Sequence, residues 1–243
     1  MISPKSQYRY YLSLDKTVKF AAAFYVTLLM GGTSLVWLGI GRVARDIHTG
    51  HLTVPLMFGG SLLLAFGGLL YGVGRINWIS DMHAWLDRHF FRLLDKSNLV
   101  LFSGLSAALG PEEMMKVSYL EPEDKETLTN AVFNGLAGIN AMFTGLLRTG
   151  ILRLWIWYWI AMYGTFVFTI LTVETFALAL RGIDPYANIS FAICWGLALA
   201  HFAAGLMLGS YLLRMMEDVA RLLVGTQRHE IAALLRKYLG GGI

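Results

Sequence analysis

Two ionisable side chains, Glu174 and His201, lie within long apolar stretches of the sequence. An ionisable group inside a bilayer is costly unless it is paired or faces water, so such residues often mark proton or ion pathways. His201 shares a helical face with Ala198, Gly205 and Gly209. This spacing predicts that the imidazole points into a helix interface and away from lipid.

Both residues also have a structural interpretation, which we favour. Glu174 lies close enough to the end of its apolar stretch to reach water or to pair with Arg181. A neutral His201 can form a hydrogen bond with a hydroxyl of the preceding stretch. That stretch offers three threonines: Thr165, Thr169 and Thr172. Two isolated polar residues do not by themselves make a transport pathway.

Other residue types that could do chemistry do not form a recognisable site. Four potential metal ligands fall within nine residues: Asp81, His83, Asp87 and His89. On a helix only His83 and Asp87 share a face, and no third ligand converges on them. Cys194 is the single cysteine, which excludes a disulfide within the chain and a zinc site of two thiolates. Because nucleotide-binding, hydrolase and kinase motifs are also absent from the sequence, we predict a protein that is not an enzyme and uses no metal or cofactor.

The composition predicts that these residues are carried by membrane-spanning helices. Of the 243 residues, 56% are hydrophobic and 15% are charged, against about 25% charged in a typical soluble domain. Four apolar segments reach the roughly 20 residues that a bilayer requires: 20–40, 52–73, 154–180 and 189–213. Only helices satisfy their own backbone hydrogen bonds in lipid. The predicted fold is therefore an all-α integral membrane protein, a bundle of four transmembrane helices.

Charge predicts the arrangement of the segments about the bilayer. An N-terminal arm (1–19), a middle segment (75–153) and a C-terminal tail (214–243) carry most Lys and Arg, and the positive-inside rule places them in the cytoplasm. They alternate with two transmembrane hairpins, 20–74 and 154–213. Arg42 and Arg45, in the short loop after the first segment, run against the rule.

The middle segment and the tail leave several interpretations open. Residues 77–96 have the spacing of an amphipathic interfacial helix with two tryptophans on its apolar face. Residues 131–147 are apolar but contain Asn134 and Asn140, so they predict a fifth span, a re-entrant element or a helix on the membrane surface; we favour four spans. In the tail, Gly225 is a candidate helix break. It precedes an apolar stripe that suits either a partner or the chain's own middle segment: Ile231, Leu234, Leu235 and Tyr238.

Small residues follow helical spacing in two of the predicted spans. The second span has glycines at seven-residue intervals and one G-x-x-x-G pair, and the fourth has another such pair: Gly60, Gly67, Gly74; Gly68, Gly72; Gly205, Gly209. Small residues let helix backbones approach closely in lipid. The pattern predicts helix packing within this bundle or, as the sharper hypothesis, an oligomer interface.

Together these features predict a non-enzymatic subunit or scaffold of a multi-protein assembly in a bacterial inner membrane, with both termini cytoplasmic. The general build resembles small inner-membrane proteins of conjugation and secretion machines, a resemblance that rests on no motif. The expected partners are the lipid bilayer and other membrane-protein subunits, further copies of the chain, or both. The sequence has no basic stripe with interleaved aromatics, so we do not expect it to bind nucleic acid. The alternatives are a channel, pore or transporter component using His201 and Glu174, and less favoured, an enzyme acting on a lipid or quinone.

Overall fold

The computed structural model describes residues 16–75, 85–86, 89, 91–139, 141–182, 184 and 186–240. Within these ranges the regular elements are helices and no strand occurs. The helices are α1 (Lys16–Leu38), α2 (Ile40–His48), α3 (Thr53–Arg75), α4 (Leu93–Ser106), α5 (Pro111–Ser118), α6 (Pro122–Ile139), α7 (Ala141–Leu180) and α8 (Ala187–Gly240).

Four of these helices are long and apolar enough to cross a bilayer. The qualifying stretches are Lys19–Leu38, Thr53–Gly72, Arg153–Leu180 and Ala187–Leu239. They overlap the four predicted segments, so the expectation of helices, four of them long and apolar enough to span a membrane, is confirmed for the described residues. The helices themselves run further than predicted. α7 begins 13 residues before position 154, and α8 continues through the tail, because no proline interrupts either run.

The chain divides into two compact units. We call the described residues of 9–80 and 156–207 the spanning unit, and those of 81–155 and 208–240 the tail unit. Each is described by itself.

In the spanning unit, α1 and α3 pack against each other as a hairpin. The rings of Phe20 and Phe66 meet edge to face with centroids 5.5 Å apart. In chain order the two helices are connected by α2, whose residues we predicted to form a loop. α1 ends because Gly39 has a φ of +86°, a left-handed conformation that glycine adopts without a steric penalty. Val43 is the buried residue of α2, and its arginines are exposed, so this short helix is amphipathic.

The core of the tail unit is built largely from the predicted middle segment. α4 packs on α6, and the side chains of Leu105, Val132 and Leu136 are completely buried. Of residues 131–147, the structure describes the end of α6, which runs to Ile139, and the start of α7, from Ala141, while position 140 lies outside the described residues. No described stretch within this range is among those long and apolar enough to span a membrane.

The apolar stripe of the tail is packed within the tail unit. Ile231 and Leu235 are fully buried. Leu234 contacts Gly135 of α6 so closely that a methyl group on the glycine would lie 2.6 Å from its Cδ2. Leu234 therefore packs on the chain's own middle segment, and Ile231 and Leu235 are covered within the tail unit, whereas Tyr238 is 37% exposed. The helix is interrupted at Gln227 (φ −135°, ψ 38°), two residues after the predicted break at Gly225.

A bidentate ion pair joins the end of α8 to the start of α5. Arg236 Nε and Nη2 donate to the two carboxylate oxygens of Glu113 at 2.7 and 2.9 Å. Glu113 Oε2 also accepts the Gly110 backbone N–H at 3.2 Å, which caps α5. The Arg236 guanidinium first, and this N–H second, lower the pKa of Glu113 from 4.5 to about 2.

We expect the tail unit to become less stable in acid, because protonation of Glu113 breaks this pair. Because the folded-state pKa is depressed, the contribution is complete above pH 4.5 and is lost as the pH falls towards about 2. Thermal unfolding midpoints in mild detergent, measured between pH 7 and pH 2.5, should fall more for the wild type than for Glu113→Gln. The matched control is Glu112→Gln, at the exposed neighbouring position. If Glu113→Gln and the wild type lose the same number of degrees, the pair contributes nothing.

Candidate functional site

The imidazole of His201 forms hydrogen bonds through both nitrogens. Nδ1 lies 2.8 Å from the Leu197 carbonyl oxygen, and Nε2 lies 3.1 Å from the Tyr25 hydroxyl. A carbonyl only accepts, so Nδ1 donates to it, and when the ring is neutral Nε2 accepts the Tyr25 proton. The bond joins α8 to α1, and its two residues, Tyr25 and His201, are 176 positions apart in sequence.

The predicted partner of His201 was wrong. Thr165 and Thr172 donate their hydroxyl protons to carbonyls of their own helix, Ala161 O at 3.0 Å and Phe168 O at 2.6 Å. Threonines inside helices commonly bond back to the preceding turn in this way. The hydroxyl that meets the imidazole comes instead from an aromatic residue of α1.

Gly164 of α7 provides the space that the His201 ring occupies. A methyl group built on Gly164 would overlap the imidazole, with Nε2 only 2.5 Å away. The ring of Phe168, one turn further along α7, lies 5.1 Å from the imidazole centroid. Sequence reasoning missed Gly164, because a single glycine in an apolar run gives no signal that a polar ring from another helix fills its place.

Glu174 is bonded to α1 as well. The Thr33 hydroxyl lies 3.1 Å from Oε1 and 3.0 Å from Oε2 of the carboxylate, which shares the donated proton between its oxygens. The expected ion pair with Arg181 does not form among the described residues, although both side chains line the same cavity. Glu174 and His201 thus each join a helix of the second predicted hairpin to α1.

The two polar sites are separated along α1. Tyr25 and Thr33 are eight residues apart, which corresponds to about 12 Å along the helix axis. Hydrogen bonds of this kind stabilise helix association in membranes by roughly 0.6–2 kcal/mol each. The geometry is that of two separate helix-to-helix hydrogen bonds.

The predicted packing glycines fall into two groups. Gly205 of α8 lies in an internal contact, where an added methyl would be 3.0 Å from Met162 Sδ, and Gly209 is buried. The second group lies on α3, where an added methyl would meet no atom within 4 Å: Gly60, Gly67, Gly68 and Gly72. Gly74 also belongs to α3, but its surroundings lie outside the described residues. No described residue of the chain therefore packs against these four α3 glycines.

Asp184, in the connection between α7 and α8, is a structural residue that the sequence did not reveal. Its side chain is 8% exposed. Oδ2 accepts the Gly41 N–H at 2.6 Å and Oδ1 accepts the Tyr186 N–H at 2.9 Å. Since the N-cap of α2 is Gly39, which has no side chain, Asp184 supplies from a distant segment the carboxylate that a helix N-terminus favours. The only sign of this role in the sequence was that Asp184 lies shortly before the start of a predicted helix.

The four potential metal ligands noted in the sequence cannot all be placed. Asp81, His83 and Asp87 lie outside the described residues. His89 stacks on Trp85 with centroids 4.9 Å apart and bonds to its carbonyl oxygen at 2.8 Å. In the described part of the chain, no three His, Cys, Asp or Glu residues lie close enough to hold a metal ion.

Comparison with protein-family models, with curated proteins and with solved structures found no match to this chain.

Proposed function

We propose that the chain is a non-enzymatic subunit or scaffold of a multi-protein assembly in a bacterial inner membrane. The observation that carries the proposal is the open face of α3. None of the membrane-spanning stretch of this helix is buried, and its glycines Gly60, Gly67 and Gly68 have open space beside them. A glycine costs a helix interior about 1 kcal/mol relative to alanine, so repeated glycines on one open face suit a close-packed neighbour.

The intramembrane polar residues support the same proposal. His201 is bonded to Tyr25, and Glu174 to Thr33, so both have a structural role in joining α1 to α7 and α8. This favours a subunit over the alternative of a channel, pore or transporter component, which would use the same two residues as proton or ion sites. The proposal also places both termini on the cytoplasmic side. It takes the assembly to be an envelope machine such as a conjugation or secretion system.

The test is substitution of a glycine on the open face. A Cβ added at Gly67 meets no described atom within 4 Å, and Gly67→Leu improves helix propensity by up to about 1 kcal/mol, so the isolated protein should keep its thermal midpoint or gain a few degrees. In native membranes the same variant should lose at least about 90% of its co-purifying subunits. Gly196→Leu, at an equally open glycine of α8, is the matched control and should keep them.

Two further variants, compared with Gly67→Leu, separate the subunit from the channel. His201→Ala and Glu174→Gln should leave the assembly nearly intact in any preparation that still inserts and folds, whereas Gly67→Leu should abolish it. Two results would instead favour the channel. They are loss of function with His201→Ala alone, and ion flux through the purified protein in liposomes. Equal loss with Gly67→Leu and Gly196→Leu would remove the special role of the α3 face.

A further inference from the structure

A cavity of about 1060 Å³ lies in the spanning unit at the end of α1. Its lining comes from the last turn of α1, from α2, from the end of α7 and from the connection to α8. The charged and imidazole-bearing residues of this lining are Arg42, Arg45, His48, Glu174, Arg181 and Asp184. Its lining is therefore partly charged, unlike a groove that faces only the hydrocarbon of the bilayer.

The acidic residues of the cavity form hydrogen bonds, whereas its arginines form no ion pair with a described residue. Glu174 accepts from Thr33, and Asp184 accepts from two backbone N–H groups. Arg42, Arg45 and Arg181 are exposed and make no ion pair with any residue that the structure describes. With His48 counted as neutral, three guanidinium groups face two carboxylates, and the lining carries one net positive charge. The cavity therefore has several unused donors for an anion.

The walls between these arginines are apolar. Val36, Trp37, Leu38 and Leu178 line the same space, and the Trp37 side chain is 85% exposed. The membrane-spanning stretches of α1 and α7 end at Leu38 and Leu180, so the cavity lies where hydrocarbon gives way to headgroups. Tryptophan and an amphipathic helix carrying arginine are both typical of that level. The cavity thus combines a place for acyl chains with charges at headgroup depth.

We propose that this cavity binds a phosphate-bearing anion, and that the natural source is an anionic phospholipid. The guanidinium groups of Arg42, Arg45 and Arg181 contact the phosphate, for which the planar fork of arginine is suited. Trp37, Leu38 and Leu178 contact the upper acyl chains. This also gives a physical reason for Arg42 and Arg45, whose position runs against the charge rule for the predicted topology. The inference does not depend on the proposed subunit function.

The test compares the purified full-length wild type with Arg42→Gln/Arg181→Gln. After delipidation in mild detergent, native mass spectrometry measures binding of phosphatidylglycerol and phosphatidylcholine, with inorganic phosphate added as a competitor in a third arm. Arg228→Gln, at an exposed arginine of α8 outside the cavity, is the matched control. The single variants Arg42→Gln and Arg45→Gln are measured as well, because both side chains are exposed and neither change disturbs packing.

The wild type should bind phosphatidylglycerol at least about tenfold more tightly than phosphatidylcholine, and the double variant should lose that preference. Arg228→Gln should behave as the wild type does, and each single variant should weaken binding at least about threefold. Displacement by millimolar phosphate would support a free phosphate as an equally good ligand, and resistance to it would support the lipid. The proposal is overturned if both lipids bind the wild type equally, or if the arginine variants bind phosphatidylglycerol as tightly as the control.

Discussion

Replacing Gly164 by leucine should prevent the spanning unit from folding with its native helix contacts. The new side chain would occupy the place of the His201 imidazole, which is held by hydrogen bonds to Tyr25 and to the Leu197 carbonyl. Overpacking a filled interior costs roughly 1–3 kcal/mol even for added methylene groups, and here a whole ring must leave. The gain in helix propensity is only about 1 kcal/mol, so the cost of overpacking is larger than this gain. We expect a loss of at least about 3 kcal/mol and little folded protein in detergent extracts.

A double-mutant cycle tests the cause of that loss. Gly164→Ala should lower the thermal midpoint because its methyl overlaps the imidazole, and His201→Ala should remove the obstacle. The pair should then be coupled, with the double variant more stable than the sum of the single effects predicts. Gly196→Leu serves as the control, since its site is open. Strictly additive effects would mean that Gly164 and His201 do not share this space.

Replacing Leu235 by alanine should lower the free energy of unfolding of the tail unit by about 2–5 kcal/mol. Leu235 is completely buried, so its removal leaves a cavity in addition to the lost transfer free energy. Leu222, on the same helix and 46% exposed, provides a control of identical chemistry. Leu222→Ala should cost well under half as much, because half of that side chain is already outside the core.

Thermal unfolding in mild detergent and the rate of limited proteolysis measure this difference. Leu235→Ala should unfold at a lower temperature and be cut sooner within residues 208–240, whereas Leu222→Ala should resemble the wild type. If the two variants behaved alike, the tail stripe would not be a packed core element, and docking to a partner would again account for it.

The spans could be predicted from the sequence because bilayer thickness sets a length and composition that few other segments meet. The orientation of His201 followed from the same helical periodicity: the residues on its predicted face, Ala198, Gly205 and Gly209, are buried. These inferences need only spacing along one helix.

The partners of those residues could not be predicted, because they depend on which helices become neighbours. The sequence offered threonines of α7 for His201, and the bond goes to Tyr25 of α1. The periodicity of the tail identified Ile231 and Leu235 as one face, but it could not say what covers that face. Asp184 was missed for the same reason, since its bond to Gly41 joins residues 143 positions apart.

The direct test of the α3 interface is site-specific cross-linking in native membranes. The chain has a single cysteine, so a Cys194→Ser background allows one new thiol, Gly67→Cys, to carry a benzophenone photo-crosslinker. The matched control is Gly196→Cys in the same background. The subunit proposal predicts a discrete adduct of one defined mass, to another membrane protein or a second copy, from position 67 and not from position 196. Adducts to lipid alone from position 67, or the same adducts from both positions, would contradict it.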